Sequence, residues 1–345
     1  MNNEAALAAH KRYVIMNSSS LKTVMKSVLT LVVVLVLATA FCACTAPSGN
    51  DPTAAPADAT PVSGGNPESG TDEDPSAIPQ VVASEQFTKF DTTIAYVPDE
   101  CTKIVLAQNA TEVTGQGATV DSNVVTINTA GSYIISGTLT DGQIVVNVEK
   151  TEKVRLILSG VNITNTKTAC IYVMSADKVG ITLVKGTENV FTDAKTYTVI
   201  DEKNNPNACI FSKDDLTING YGSLTVNGNF NNGIGCKNDL CIVTGNVTVS
   251  APNNAVKATD SFRMHDGYLK VTSQDDAIKV DGEDDISKGF VFIEGGTLEL
   301  TAVDDAITAV YSVNITGGTV TTYAEGKAVN CAGNVTVAEG SLIEK

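Results

Sequence analysis

A short phrase returns along the second half of this chain at nearly fixed spacing. In each copy a small residue follows a polar one and precedes an apolar one, and consecutive small residues are 25, 22, 22, 29 and 22 positions apart. The copies are Asn207-Ala208-Cys209-Ile210, Asn232-Gly233-Ile234, Asn254-Ala255-Val256, Asp276-Ala277-Ile278, Asp305-Ala306-Ile307 and Lys327-Ala328-Val329. A period in the low twenties, made of short alternating runs without a helical pattern, is typical of a parallel β-helix. We therefore expect an all-β solenoid whose coils stack about 4.8 Å apart.

The chain before residue 158 is less regular than the repeats that follow it. Alternating runs such as Val124-Val125-Thr126-Ile127 are separated by turns, but their spacing varies. A solenoid needs an atypical first segment to cover the open end of its stack. We expect this block to form an irregular N-terminal capping region that leads into the regular coils.

The first 84 residues have the composition of targeting and linker segments. Lys22 and Lys26 precede an apolar run that ends before Cys44, which predicts a secretory signal over residues 1–44 and a lipoprotein-type processing site with lipidation at Cys44. Residues 45–84 are rich in Pro, Gly, Ser, Thr, Asp and Glu, which predicts a disordered linker. We expect a folded domain over residues 85–345, attached to the cell surface outside a Gram-positive bacterium.

The charge of the chain restricts its partners. The formal net charge is −16, and it becomes −19 without residues 1–44, which carry four basic residues and one acidic residue. Such a surface disfavours nucleic acid and anionic membranes, so we expect contact with a membrane only through an N-terminal lipid or signal anchor. An acidic polysaccharide would also be repelled unless cations bridge it to the protein.

Six cysteines remain after residue 44, and no CxxC pair occurs among them. Cys170, Cys209 and Cys241 stand where other coils carry aliphatic residues. We interpret them as buried small apolar side chains rather than as a disulfide framework or a zinc site.

Paired carboxylates recur in register with the repeat. Aligned on the small residue, Asn253-Asn254, Asp275-Asp276 and Asp304-Asp305 occupy one position on successive coils. Four carboxylates on one edge repel one another, and a divalent cation with hard oxygen ligands such as Ca²⁺ relieves the conflict. Asp281 and Glu283, in the longest coil, are further candidate ligands. The alternative is a set of solvated loop carboxylates in an acidic protein.

Two lysines and two tyrosines are candidate carbohydrate contacts. Lys257 and Lys279 each follow the small residue by two positions, so they share a face with the carboxylates. They are candidates for contact with a sugar carboxylate or for a general base, and the alternative is charge compensation. Tyr221 and Tyr268 each follow a turn glycine, which we interpret as one shared slot from which tyrosines could stack on sugar rings.

Several longer phrases resemble the β-helix carbohydrate-binding proteins of clostridia and their relatives, a family long described as a domain of unknown function. The matching phrases are Ala130-Gly131-Ser132-Tyr133-Ile134-Ile135-Ser136-Gly137, Val154-Arg155-Leu156-Ile157-Leu158-Ser159-Gly160-Val161, Ile210-Phe211-Ser212-Lys213-Asp214-Asp215-Leu216-Thr217-Ile218-Asn219-Gly220 and Asp275-Asp276-Ala277-Ile278-Lys279. The resemblance covers most of residues 100–345. It implies a right-handed parallel β-helix similar to pectate lyases, bound Ca²⁺, and binding of plant-type polysaccharide, cellulose or polygalacturonate.

The resemblance also implies roles for individual residues. In related lyases stacked Asp residues hold Ca²⁺ and a lysine removes the proton α to the uronate carboxyl, which here indicates Asp275, Asp276, Asp304 and Asp305 as ligands and Lys279 or Lys257 as the base. The chain departs from the family pattern at Asn253-Asn254, where an acidic pair is common, and at Thr308, which takes the place of a third lysine.

Three functions fit these features. The first is a surface-tethered, Ca²⁺-dependent polysaccharide-binding protein without turnover. The second is a Ca²⁺-dependent polysaccharide lyase that cleaves polyuronate by β-elimination. The third is a structural or adhesive solenoid in which Ca²⁺ stiffens the stack.

Overall fold

The computed structural model describes residues 81–198, 206–282, 285 and 287–345. All of these belong to one compact unit, Gly70–Lys345. The predicted signal segment, Cys44 and Glu283 lie outside the described residues. No helix within the described ranges has the length and apolarity needed to span a bilayer.

The described chain is built almost entirely from short strands. One helical turn, α1 (Lys89–Thr92), and one 3-10 turn (Pro98–Glu100) precede them. The strands are β1 (Thr102–Ala107), β2 (Glu112–Thr114), β3 (Ala118–Asp121), β4 (Val124–Ile127), β5 (Gly131–Leu139), β6 (Gln143–Asn147), β7 (Lys153–Thr164), β8 (Ile171–Ser175), β9 (Lys178–Leu183), β10 (Glu188–Thr192), β11 (Ala208–Ser212), β12 (Asp215–Gly220), β13 (Ser223–Asn227), β14 (Asn232–Cys236), β15 (Asp239–Ile242), β16 (Asn246–Ala251), β17 (Val256–Ala258), β18 (Ser261–Met264), β19 (Tyr268–Ser273), β20 (Ile278–Val280), β21 (Phe290–Ile293), β22 (Thr297–Ala302), β23 (Ile307–Ala309), β24 (Ser312–Ile315), β25 (Thr319–Ala324), β26 (Val329–Cys331), β27 (Asn334–Val337) and β28 (Leu342–Glu344).

Three stacks of parallel strands wrap these elements into a solenoid. Sheet 1 contains β8, β11, β14, β17, β20, β23 and β26, sheet 2 contains β9, β12, β15, β18, β21, β24 and β27, and sheet 3 contains β10, β13, β16, β19, β22, β25 and β28. Each coil passes through the three sheets in that order and then steps to the next coil. The expectation of a parallel β-helix is confirmed.

The interior is filled by aliphatic ladders because alternate strand residues point inward. In sheet 1, for example, Ile210, Ile234, Val256, Ile278 and Ile307 pair in direct register from coil to coil, and all five are fully buried. Each such side chain contributes about 1.5–3 kcal/mol of burial free energy. β-branched residues suit this pleated, closely stacked surface, which is why the repeats form strands.

The beginning of the solenoid departs from the regular pattern, as expected for a cap. β1 pairs with β2 and β3 pairs with β4 in antiparallel fashion, whereas β1 and β4 join the stack through parallel pairing with β5 and β6. The antiparallel strands therefore occupy the position where a preceding coil would stand, and they cover the strand edges of the first coil.

A segment that we call the strap (residues 81–97) crosses the outer face of sheet 2. Arg155 Nη2 donates to Phe90 O at 2.9 Å, Asn219 Nδ2 donates to Asp91 O at 2.8 Å, and the Ser84 N–H donates to Glu294 Oε1 at 3.2 Å. These partners come from coils that are far apart in the stack. The strap therefore ties several successive coils together.

Asp91 is the most buried polar group of the strap. It is fully buried, and it forms a capping box with Thr88 at the N-terminus of α1. Its carboxylate lies 3.0 Å from Lys178 Nζ and accepts a hydrogen bond from Thr217 Oγ1. Burial alone would raise the pKa of Asp91, but the Lys178 charge and the hydrogen bonds from Thr217 and Thr88 outweigh it and lower that pKa.

All six cysteines after residue 44 are free thiols. Cys170, Cys209 and Cys241 are fully buried, which confirms their interpretation as small apolar side chains. Burial raises the pKa of Cys209 and, to about 12, that of Cys241.

Candidate functional site

The paired polar residues meet at the corner where each coil passes from sheet 3 to sheet 1. We call this corner the acid edge and define it by Asn253-Asn254, Asp275-Asp276 and Asp304-Asp305. The backbone confirms the predicted register: Asp304 N–H donates to Asp275 O at 3.3 Å, and Asp305 N–H donates to the Asp276 side chain at 3.2 Å. The small residue that follows each pair, such as Ala277, is fully buried and fixes the turn against the core.

Three carboxylates of the acid edge converge. One oxygen from each of Asp275, Asp276 and Asp304 lies within 4.8 Å of the other two. Asp276 is 2% exposed, Asp275 is half-buried and Asp304 is exposed. The charge of Asp305, with partial desolvation and the charges of Asp276 and Asp275, raises the pKa of Asp304. These groups repel one another, so the cluster favours a cation.

Asp305 does not join this cluster, although the sequence placed it with the other three. Its carboxylate accepts a hydrogen bond from the Lys327 N–H at 2.7 Å and another from Asn330 Nδ2 at 2.6 Å. Both donors come from the next coil, so the side chain turns toward that coil. Asp305 holds two coils together. Its charge still acts on Asp304, but it is not one of the three residues whose carboxylate oxygens lie within 4.8 Å of one another.

The two predicted lysines share the outer face of sheet 1. Lys257 pairs directly with Lys279 between β17 and β20, as expected. Lys279 Nζ lies 2.8 Å from Asp276 Oδ2, and Lys257 Nζ lies 3.0 Å from Asp281 Oδ2. Asp281 therefore compensates Lys257, and it is not among the three clustered carboxylates.

The pKa of Lys279 bears on its chemistry. Burial alone would lower it, but the hydrogen bond and charge of Asp276, with the charges of Asp275 and Asp281, outweigh burial and raise the pKa. A lysine with a raised pKa keeps its proton at neutral pH. It is suited to binding an anion and poorly suited to act as a general base.

The acid edge continues into an amide ladder on the preceding coils. Asn254 Nδ2 donates to Asn232 Oδ1 at 3.2 Å, and Asn232 Nδ2 donates to Asn207 O at 3.1 Å. Asn254 is 2% exposed, and within the described ranges its Oδ1 has no hydrogen-bond partner. The next residue of the ladder is Asp276, whose side chain has no amide N–H to donate, so the amide ladder stops there.

The two predicted tyrosines do not share one slot. Tyr268 pairs with Asn246, which pairs with Ser223, so the counterpart of Tyr268 two coils earlier is Ser223 and not Tyr221. Tyr221 lies in the turn before β13 and is exposed. Partial burial and a hydrogen bond with Glu299 raise the pKa of Tyr268. The structure therefore does not stack these tyrosines into one platform.

The sequence did not single out Phe230 and Tyr197. Their rings stack with centroids 4.1 Å apart and an angle of 16° between planes, directly beside the amide end of the acid edge. Phe230 immediately precedes Asn231, which stands one coil before Asn253. The sequence feature that could have identified Phe230 is its position directly before the repeated polar pair.

Residues 121–342 match the sequence profile of a family described as carbohydrate-binding domain-containing proteins. The chain belongs to this carbohydrate-binding family. The matched range includes every strand from β4 to β27 and the whole acid edge.

Two relatives place the family membership in context. A carbohydrate-binding domain-containing protein of Acetivibrio thermocellus is 49% identical over 227 residues, which is 66% of this chain and 79% of that protein. A solved structure described as the polysaccharide lyase-like protein from C. thermocellum, gadolinium derivative, has a TM-score of 0.70 and 46% identity, and the alignment covers 71% of this chain and all of that one. Family and fold both agree with the resemblance noted in the sequence.

Proposed function

We propose that this protein binds acidic, plant-type polysaccharide at the acid edge through Ca²⁺, without turning it over. The observation that carries the proposal is the convergence of Asp275, Asp276 and Asp304 within 4.8 Å. Family membership supports a carbohydrate partner.

The donor set fits a hard divalent cation. Ca²⁺ takes carboxylate oxygens in a flexible geometry, and Asp275 and Asp304 have exposed or half-buried carboxylates. Asp276 would join them by exchanging its contact with Lys279. When bound, the ion supplies positive charge that can bridge protein carboxylates and sugar carboxylates. The solved relative is a gadolinium derivative, and a lanthanide ion is also a hard cation that prefers oxygen ligands.

Net charge explains why an ion is needed. A protein of net charge −16 repels polyuronate at long range. A Ca²⁺ ion at the acid edge would offset two of the three carboxylate charges and could take a sugar carboxylate as a further oxygen ligand. The ammonium of Lys279, released from Asp276, would then be available to a sugar carboxylate.

Retention on immobilised polygalacturonate, with Ca²⁺ or with EDTA, tests this proposal. We expect retention in Ca²⁺ that EDTA abolishes and that the double variant Asp275→Asn, Asp304→Asn loses. Asp266→Asn, which removes an exposed carboxylate from a different turn, is the matched control and should bind like the wild type. Equal retention of the double variant and the wild type would falsify the proposal.

Two further measurements, the ultraviolet absorbance of polygalacturonate incubated with the protein and Ca²⁺ and the melting temperature of the protein with and without EDTA, separate the other two functions. A lyase would steadily produce unsaturated ends that absorb ultraviolet light, and Lys279→Ala would stop it. A purely structural solenoid would show a chelator-sensitive melting temperature and no retention on any polysaccharide.

Location is a separate part of the proposal. The predicted signal and linker would hold the domain outside the cell through a lipid at Cys44. Expression in a Gram-positive host should place the wild type in the membrane fraction, whereas Cys44→Ser should appear in the medium. Recovery of both proteins from the cytoplasm would contradict this location.

A further inference from the structure

The aromatic pair beside the acid edge is held rigidly. The Tyr197 hydroxyl lies 2.5 Å from Asp193 Oδ2 and 3.0 Å from Ala208 O, which fixes the inner ring. Tyr197 is 7% exposed and Phe230 is 37% exposed, so Phe230 is the outer ring of the stack. A flat apolar surface of this kind is ordered before any ligand arrives, which lowers the entropy cost of binding.

The backbone that leads into Phe230 is also fixed. The Asn229 N–H donates to Asp193 Oδ1, and Asn229 Nδ2 donates to Asp193 O at 2.9 Å. Asp193 is buried, and desolvation is the main cause that raises its pKa, although its hydrogen bonds oppose the shift. The position of the Phe230 ring therefore does not depend on a flexible loop tip.

Asn231 follows Phe230 directly in the chain, and Asn253 stands one coil further along the solenoid axis. Asn253 Nδ2 donates to Asn231 Oδ1 at 2.7 Å, and both residues are half-buried. Each amide carries donor and acceptor groups. An aromatic face flanked by amides suits a sugar ring, which has an apolar face and a rim of hydroxyls.

Charge divides this corner of the molecule into two halves. The residues two positions before the small residue are Asn231 and Asn253 on two coils, then Asp275 and Asp304 on the next two. The amide half has amides where the acidic half has Asp275 and Asp304, so it lacks the carboxylates that would hold a cation for a uronate. We propose that Phe230, Asn231 and Asn253 form a subsite for a neutral sugar ring of a polysaccharide, independent of Ca²⁺.

This subsite deepens the proposed function and rests on it, since both assume a glycan lying along the same corner. From Asn231 to Asp304 the ligand passes three coil steps, about 14 Å at the usual strand spacing. A single polysaccharide chain can therefore contact the neutral subsite at one end and the ion at the other. The favoured ligand is a glycan that carries neutral sugars as well as uronates.

Isothermal titration of the full chain in EDTA tests the subsite, with neutral hexasaccharides of glucose, xylose and mannose as probes. We expect at least one to bind, and Phe230→Ala to weaken that binding about tenfold. Tyr311→Ala removes another exposed aromatic ring, and Asp266→Asn removes an exposed carboxylate from a different turn. Both should bind like the wild type.

A second variant guards against a folding defect. Phe230→Leu keeps an apolar side chain over Tyr197 but removes the aromatic face, so it should also lose binding while its melting temperature stays near that of the wild type. Absence of binding to every neutral probe, or binding unchanged in Phe230→Leu, would overturn the subsite. If the subsite is overturned in this way while Phe230→Leu retains Ca²⁺-dependent binding of polygalacturonate, the proposed function holds without the subsite. If Asp275→Asn, Asp304→Asn binds polygalacturonate normally while Phe230→Leu loses the neutral sugar, the proposed function fails and the subsite survives.

Discussion

The ammonium of Lys279 lies 2.8 Å from Asp276 Oδ2, at the place where the Asp276 carboxylate also meets those of Asp275 and Asp304. A side-chain cation of the protein thus partly neutralises the cluster that we propose for Ca²⁺. The Lys279 ammonium and a bound Ca²⁺ ion would compete for the same oxygen of Asp276.

Lys279→Gln should raise the affinity of the protein for Ca²⁺. The substitution removes a positive charge that repels the incoming ion, and partial exposure limits the gain to about three- to tenfold. Calorimetric titration with Ca²⁺ measures it. Lys270→Gln removes the same charge from a residue paired with Glu299 on sheet 3, so it should leave the affinity near the wild-type value. A weaker affinity in Lys279→Gln would show that the ammonium supports the ion site.

Asp305→Ala should destabilise the fold, whereas Asp304→Ala should not. Asp305 is 7% exposed and accepts hydrogen bonds from Lys327 and Asn330 of the next coil. Loss of this acceptor leaves donors unpaired, at a cost of about 1–3 kcal/mol in the free energy of unfolding. Asp304 is exposed, so its loss should leave the free energy of unfolding nearly unchanged. Urea unfolding in EDTA compares the two, and equal costs would contradict the assignment of Asp305 as a structural residue.

Asp91→Asn should be among the most destabilising substitutions of a single polar residue. Among the described residues, it leaves the buried Lys178 with Asp215, 3.4 Å away, as its remaining ion-pair partner. Breaking one partner of a buried ion pair costs about 3–5 kcal/mol, and Asp215 should hold the loss near the lower value. Asp99→Asn, which breaks an exposed pair with Lys103, is the control for charge alone. Similar unfolding midpoints for the two variants would rule out a structural role for the strap carboxylate.

The Asp91 contribution should disappear in acid. The pKa of Asp91 in the folded protein lies below its ordinary value of 3.8, so the unfolded chain takes up the proton first. Stability from this group is therefore complete above 3.8 and is lost as the pH falls through the folded-state value. The difference in unfolding free energy between wild type and Asp91→Asn should shrink as the pH is lowered below about 4. A difference that grows on acidification would mean that the pKa shift has the opposite sign.

Thiol reactivity should report the burial of the core. Cys331 is partly exposed, whereas Cys170, Cys209, Cys236 and Cys241 are buried, and burial raises the pKa of the last three thiols. Iodoacetamide at pH 8 should modify Cys331 in the native protein and the four buried thiols only after unfolding. Peptide mass mapping gives the order of modification. Early labelling of Cys209 would indicate that the coils around it open readily.

Repetition explains why the sequence predicted the fold and part of the site. A parallel β-helix places residues one period apart directly above each other, so the spacing of Ala255, Ala277 and Ala306 fixed the register of the acidic pairs without any three-dimensional information. The same logic failed at Tyr221. The strand register pairs Ser223 with Asn246 and Asn246 with Tyr268, so the glycine equivalent to Gly267 is Gly222. Counting from Gly220 instead placed Tyr221 in the slot of Tyr268.

Contacts outside the repeat could not be read from the sequence. Asp91 meets Lys178, 87 positions later, and no periodic pattern marks a single carboxylate in an irregular segment. Phe230 depends on Tyr197 beneath it, 33 positions earlier in an irregular loop. Asp305 looked equivalent to Asp276 by position, but the donors that the next coil presents decide where its oxygens point.

The route of the strap has a mechanical consequence. Because residues 81–97 lie across the coils and contact partners from Arg155 to Glu294, a pull on the N-terminal side of residue 81 loads several strands of sheet 2 in shear before it reaches the first coil. The hydrogen bonds of the strap and the buried ion pair of Asp91 then share the force, so the backbone hydrogen bonds of the terminal coil do not break one after another. A protein held by its N-terminus against flow would keep its corner of carboxylates and amides intact under such a load.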